Sequence, residues 1–174
     1  MIELRFHGRG GQGAVTAASL LVSAAIEEGR YAQAVPSFGP ERRGAPVESY
    51  VRISDEPILA RYDVLEPEYV IVLDPTLLNV VDYRKGLKEG GMPILNLPTR
   101  PNEKGVAWVN ATDLANEILG KPITNTAMLG ALLKVKRLVN SRSLRKAIKD
   151  QFPGKLGEKN CNLIRKAYKE TEIL

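Results

Sequence analysis

Residues 2–13 read IELRFHGRGGQG, and a small or apolar run, AVTAASLLVSAAI, follows at residues 14–26. Apolar and polar side chains alternate in the first six positions, which predicts a short β-strand. In the second run Leu20, Leu21 and Ile26 recur at helical spacing, which predicts an α-helix. The glycines between them fit the G-x-G-x-x-G spacing of a phosphate-binding loop. The chain is therefore predicted to open with a strand, a glycine loop and a helix.

The glycine loop could bind an anion, because glycine permits positive φ and the free N–H groups at a helix start attract negative charge. A dinucleotide site of this type also needs an acidic residue about 20 residues further on, at the end of the second strand. The second predicted strand, residues 30–35, runs into PSFG without an acid. NAD binding is therefore disfavoured. Two interpretations stay open: an anion site, or glycines that only allow a tight turn.

Length and composition limit the class of protein. At 174 residues, with 44% apolar and 26% charged residues, the chain fits one globular domain spanning residues 1–174. It has no apolar run as long as a membrane span, so a soluble cytoplasmic protein without membrane contact is expected. A single cysteine, Cys161, and a single histidine, His7, argue against a disulfide framework, a multi-histidine metal site and an iron–sulfur cluster held by this chain alone. No metal ligand and no catalytic residue are assigned.

The net charge of +5 is concentrated late in the chain. From Lys134 onward, lysine and arginine recur at helical spacing between apolar residues, with few aromatic residues among them. This pattern is more typical of a solvated helix face, or of an interface with an acidic partner, than of a nucleic-acid surface. No nucleic-acid partner is therefore expected.

Predicted strands and helices alternate along the rest of the chain. Strands are predicted at residues 47–53, 69–73, 93–97 and 106–110, and helices at 82–88, 112–119, 127–139, 142–151 and 156–170. This alternation predicts an α/β domain with an open, largely parallel, Rossmann-like sheet and helices on both faces. Right-handed crossovers would put the glycine loop at the carboxyl edge of the sheet, where ligands of such folds bind.

A proline-bounded loop at residues 35–46 carries Arg42 and Arg43. Their forked donors match carboxylate or phosphate, so the loop could bind an anion or the acidic residues of a partner. A solvated basic loop is the alternative. Arg9 would strengthen the anion interpretation if it lies near Arg42. Asp74, after the strand 69–73, could serve the same site or only cap the next turn.

Two motifs together are specific: HGRGGQG at residues 7–13 and PSFGPERRG at residues 36–44. Further pieces agree in order, namely VRIS at 51–54, VLDP at 72–75, NTAMLGA at 125–131 and the helix at 160–168. With these motifs the chain resembles, over essentially its whole length, the γ subunit of 2-oxoacid:ferredoxin oxidoreductases. Within the family it is most similar to the γ subunit of the pyruvate enzyme, and the branched-chain (2-oxoisovalerate) enzyme is the alternative.

The resemblance implies a subunit of an enzyme that converts a 2-oxoacid, coenzyme A and oxidised ferredoxin into acyl-CoA, carbon dioxide and reduced ferredoxin. It implies that thiamine diphosphate, magnesium and [4Fe–4S] clusters belong to the α, β and δ subunits, and that this chain binds no cofactor alone. In fused single-chain relatives the equivalent domain covers the coenzyme A site. The residues expected to shape that site are Arg9, Gly10, Gly11, Gln12, Gly13, Arg42 and Arg43. A free-standing nucleotide- or CoA-binding module is the alternative.

Overall fold

The first predicted unit forms as expected in the computed structural model, which describes residues 1–37 and 44–174. Strand β1 spans Ile2–Arg9 and helix α1 spans Ala14–Glu27. The turn between them depends on glycine, since Gly11 and Gly13 have φ of +90° and +87°. A short, rigid glycine turn therefore connects the strand to the N-terminus of the helix.

The remaining elements follow in chain order. The further strands are β2 (Tyr31–Ser37), β3 (Pro46–Ser54), β4 (Tyr69–Val72), β5 (Met92–Asn96), β6 (Ala107–Val109) and β7 (Glu172–Ile173). The further helices are α2 (Ala111–Leu119), α3 (Asn125–Val135), α4 (Ser141–Gln151) and α5 (Lys155–Glu170), with a 3₁₀ helix at Pro75–Asn79. Among the residues described, no helix is both long enough and apolar enough to span a bilayer.

The strands of the described segments form one mixed sheet in the order β2-β3-β1-β4-β5-β6-β7. Its centre is parallel: β1 pairs with β4, β4 with β5, and β5 with β6. The edges are antiparallel, through β3 against β1, β2 against β3, and β7 against β6. The prediction of a single α/β domain with an open sheet is confirmed. Because β3 separates β1 from β2, the end of β2 is not adjacent to the glycine loop, as it would be in a dinucleotide fold.

Helices α1–α5 pack on one face of the sheet, where we predicted helices on both faces. Their buried side chains share one core with the alternate strand residues Leu4, Phe6, Val51, Ile71 and Ile94. The long C-terminal run of helices causes this arrangement, because α2 to α5 follow one another without an intervening strand. Each of them must bury its apolar stripe against the same core or against a neighbouring helix.

The other face of the sheet is covered by the 3₁₀ helix and irregular chain. Val70, Val72 and Leu95 pack there against Leu77. The predicted helix at residues 82–88 is wrong, and the chain makes turns at this position. Gly86 has φ of +70°, which no α-helix accommodates. The segment beyond β4 therefore crosses this face with little regular structure.

Helix α3 is the most deeply buried helix, and a glycine allows its close approach to α5. A Cβ atom added at Gly130 would lie 2.4 Å from the carbonyl oxygen of Ile164 and 3.1 Å from the Cβ of Ala167. Helix α3 ends at Val135, before the predicted residue 139, where Lys136 turns to an extended conformation. The contact between α3 and α5 therefore fixes the C-terminal helices on the sheet.

Candidate functional site

The glycine loop is held in shape by Gln12. The Oε1 atom of Gln12 accepts from the Arg9 backbone N–H at 2.7 Å, and the Gln12 N–H donates to the Arg9 carbonyl at 3.0 Å. The Nε2 atom of Gln12 donates to a carboxylate oxygen of Asp74. Gln12 thus closes the loop on itself and ties it to the residue that follows β4. Gln12, one of the residues predicted for the site, therefore stabilises the conformation of the glycine loop.

Arg9 is engaged by groups around the same sheet edge. Its Nε and Nη2 atoms donate to the Thr76 hydroxyl at 3.0 and 2.7 Å, and its Nε lies 3.5 Å from Asp74 Oδ2. Burial opposes ionisation of Asp74, but hydrogen bonds from Thr76 and Gln12 and the charge of Arg9 outweigh it, so the pKa of Asp74 lies below its ordinary value. Asp74 is therefore a charged anchor for Arg9 and Gln12, and it also caps the 3₁₀ helix.

The glycine loop also bonds to the chain that follows the second motif. The Gly10 N–H donates to the Ala45 carbonyl at 2.9 Å, and the Gly44 N–H donates to the Gly10 carbonyl at 3.3 Å. The Nη1 atom of Arg9 donates to the Gly44 carbonyl at 3.0 Å. Arg42 and Arg43 lie outside the described residues. Gly44, the next residue in the sequence, is thus joined to the glycine loop by backbone and side-chain hydrogen bonds.

Several backbone N–H groups of the loop have no hydrogen-bond acceptor among the described residues. Within residues 1–37 and 44–174, no hydrogen-bond acceptor faces the N–H groups of Gly11, Gly13 and the first turn of α1, residues 14–16. They are the unpaired donors expected at a helix N-terminus, where the helix dipole favours an anion. A cavity of about 380 Å³ opens beside them and is also lined by Lys121 and Asn125. The glycine loop therefore faces a concave space with a nearby cation.

Asn125 lines this cavity, although the sequence did not single it out as a candidate site residue. It is 4% exposed, and its Nδ2 atom lies 2.6 Å from the position that a Gly13 Cβ would occupy. Lys121, in the turn before α3, belongs to none of the sequence motifs. Both residues reach the glycine loop only through the packing of α3 beside α1. In the sequence, Asn125 is marked only by its place in the family motif NTAMLGA at residues 125–131.

His7, near the end of β1, lies on the face of the sheet opposite the helices. Its Nε2 atom accepts from Arg5 Nε at 3.0 Å, and its Nδ1 lies 3.4 Å from Glu48 Oε1. Burial lowers the pKa of His7 to about 4; Glu48 opposes this shift and the charge of Arg5 adds to it. His7 is therefore a neutral histidine that is part of a buried polar cluster, away from the cavity. The described residues contain no group of three or more potential metal ligands.

This low pKa predicts that acid destabilises the fold through His7. Between pH 6.5, the ordinary value, and pH 4, the unfolded chain binds a proton that the folded chain excludes. The stabilising contribution of neutral His7 is therefore complete above pH 6.5 and is lost as pH falls towards 4, by up to about 3 kcal/mol. Denaturant unfolding of the wild type and His7→Gln at pH 7.5 and 4.5 should show a steeper loss in the wild type. Equal losses would contradict the prediction.

Comparison with known proteins gives a consistent result over the whole chain. The family model described as pyruvate ferredoxin/flavodoxin oxidoreductase matches residues 3–170. A pyruvate synthase subunit of Methanothermobacter thermautotrophicus is 54% identical, with 100% of this chain and 98% of that protein covered. The common γ subunit of the pyruvate and ketoisovalerate oxidoreductases of Pyrococcus furiosus is 53% identical, over 99% of this chain and 98% of that protein.

A solved structure agrees with these relatives. The pyruvate oxidoreductase subunit of Thermotoga maritima superposes with a TM-score of 0.86 at 36% identity, covering 98% of this chain and 97% of that chain. The structural similarity therefore extends from the glycine loop through the C-terminal helices.

Proposed function

This chain belongs to the pyruvate ferredoxin/flavodoxin oxidoreductase family, and from that premise we propose that it is the γ subunit of a pyruvate:ferredoxin oxidoreductase. The full-length match to pyruvate synthase subunits is the observation that carries the proposal. The assembled enzyme would oxidatively decarboxylate pyruvate with coenzyme A and pass the electrons to ferredoxin. We propose that it works in the cytoplasm, with this chain beside α, β and δ subunits.

The proposed division of labour follows from the chemistry of the side chains. A [4Fe–4S] cluster is held by four thiolates, and this chain contains only Cys161, which is buried. Its sequence also lacks the Gly-Asp-Gly…Asn motif of magnesium and thiamine diphosphate sites. Thiamine diphosphate, magnesium and the clusters are therefore assigned to the other subunits. The γ chain contributes no redox group of its own.

The contribution of this chain is proposed to be part of the coenzyme A site. The N–H groups of Gly11 and Gly13, which no acceptor in residues 1–37 or 44–174 pairs, lie beside a cavity that Lys121 also lines. Such an arrangement suits the phosphate groups at the nucleotide end of coenzyme A. Arg42 and Arg43 would add two forked cations. Arg9 and Gln12 would hold the loop and Gly10 in position, because their side chains are bonded to Thr76, Gly44 and Asp74.

A second candidate function is a γ subunit shared between two enzymes. The Pyrococcus furiosus relative is named as common to the pyruvate and ketoisovalerate oxidoreductases. A γ chain that contacts coenzyme A and not the 2-oxoacid could serve both. Under this proposal the 2-oxoacid specificity belongs to the other subunits. Assembly with the α and β chains of each enzyme in turn distinguishes a shared subunit from a dedicated one.

The proposal predicts that activity requires assembly. Purified alone, the chain should be colourless and should not reduce ferredoxin with pyruvate and coenzyme A. Co-expressed with its cognate α, β and δ chains, it should elute with them in gel filtration as one active complex. The matched control is the same co-expression without this chain. Turnover by the isolated chain, or separate elution in the co-expression, would contradict the proposal.

A further inference from the structure

Positive charge is segregated in the C-terminal helices. Residues 134–170 contain twelve lysines and arginines but only three aspartates and glutamates. The rest of the chain contains thirteen lysines and arginines and seventeen aspartates and glutamates. The rest of the chain is therefore net acidic, although the whole protein is basic. Most of these lysines and arginines, on α4, α5 and the end of α3, are exposed.

A groove lies within this basic region. It has a volume of about 390 Å³ and runs between the end of α3 and helices α4 and α5. Its floor is formed by the buried side chains of Leu133, Cys161 and Ile164, and the exposed ring of Tyr168 lies beside them. Its rim carries the exposed cations Arg137, Arg145, Arg165 and Lys169. Among the described residues that line it, none is acidic.

Unlike other cations on the same helices, the rim cations form no ion pair with the described residues of this chain. Lys146, Lys149 and Lys166 each lie 2.6 Å from a glutamate oxygen of this chain. By contrast, no ion pair within the described ranges involves the four rim cations, and Arg165 bonds only to the neutral Asn162 side chain at 2.8 Å. Four unneutralised cations around an apolar floor concentrate a positive potential over the groove.

We propose that this groove binds an acidic segment of another subunit of the assembled enzyme, with an apolar side chain of that segment seated on the floor. This inference rests on the proposed function. Carboxylates of the segment can accept paired hydrogen bonds from the guanidinium groups of the rim. An apolar side chain of the segment can pack on the floor, as when an amphipathic segment binds in an apolar groove. A nucleic acid fits less well, because Lys134 Nζ lies 5.4 Å from the centroid of the Tyr168 ring and occupies a face on which a base would stack.

A competition experiment tests the groove. Wild-type chain and Arg145→Glu/Arg165→Glu are co-expressed in equal amounts with the α, β and δ chains, and mass spectrometry measures their ratio in the purified complex. The variant should be incorporated about 10-fold less well, since two exposed charge pairs are lost and reversed. The matched control is Lys155→Glu/Lys159→Glu, which reverses two charges on α5 outside the groove. It should compete equally with the wild type.

The outcomes separate this inference from the proposed function. If the wild type enters the complex and the groove variant enters equally well, the groove is not a docking site, while the γ assignment stands. If the wild type does not enter, both are overturned. Self-association of the isolated chain that Arg145→Glu/Arg165→Glu abolishes would assign the groove to a second copy of this chain and overturn the proposal.

The single cysteine provides a direct readout of coverage. Cys161 lines the groove, so its alkylation by a small thiol reagent should slow at least 10-fold in the assembled enzyme compared with the isolated chain. Slower alkylation is expected because an occupied groove covers the Cys161 side chain, which is 6% exposed in the isolated chain. Equal alkylation rates in the two states would overturn the proposal even if assembly is intact. Thermal unfolding of the variants identifies any loss caused by misfolding.

Discussion

Replacement of Arg42 or Arg43 by alanine in the assembled enzyme is expected to weaken the apparent affinity for coenzyme A about 10- to 150-fold. Each guanidinium is proposed to make a charge-assisted contact with the phosphate end of coenzyme A, and such a contact contributes about 1.5–3 kcal/mol. The pyruvate half-reaction should change little, because decarboxylation at thiamine diphosphate is assigned to other subunits. The substitutions should therefore change the apparent affinity for coenzyme A and leave that for pyruvate unchanged.

Two titrations on purified complex measure this effect, one varying coenzyme A and the other varying pyruvate. Arg61→Ala is the matched control, since Arg61 is an exposed arginine in a different loop of the chain. It should leave both apparent affinities unchanged. An unchanged affinity for coenzyme A in Arg42→Ala and Arg43→Ala, with the complex intact, would reject the ligand role. These arginines would then belong to an interface or to the solvated surface.

The second large effect is expected at Gly130, where alanine should lower the free energy of unfolding by about 3 kcal/mol. The added methyl group would lie 2.4 Å from the Ile164 carbonyl oxygen, which is backbone and cannot rotate away. Helices α3 and α5 would have to separate, and the core beneath them would lose packing. The intrinsic preference of a helix for alanine over glycine, about 1 kcal/mol, is too small to offset this cost.

Gly29→Ala is the comparison for Gly130→Ala. A Cβ atom at Gly29 would meet nothing within 4 Å, so only its φ of +77° penalises alanine, by about 1 kcal/mol. Urea unfolding of both variants at neutral pH should rank Gly130→Ala as clearly less stable. If the two variants lose the same stability, helices α3 and α5 are not in the close contact described here.

The sequence by itself determined the first unit and the family. The alternation in residues 2–7, the glycine spacing and the apolar run at 14–26 are local signals, and β1, the turn and α1 follow from them. The two motifs at residues 7–13 and 36–44 identified the family, which the comparisons confirm. The roles proposed for Arg42 and Arg43 remain predictions, since these residues lie outside the described part of the chain.

The contacts between segments that are distant in sequence became known only from the tertiary structure. Strand β3 inserts between β1 and β2, and helices α1–α5 share one face, because strand pairing and helix packing depend on competing long-range contacts that local periodicity does not encode. For the same reason the sequence could not reveal that Asn125 lies against Gly13, or that Arg9 is bonded to Thr76 and Gly44. The residue types that could bind an anion are visible in the sequence. Which of them line one cavity depends on the packing of α3 beside the glycine loop.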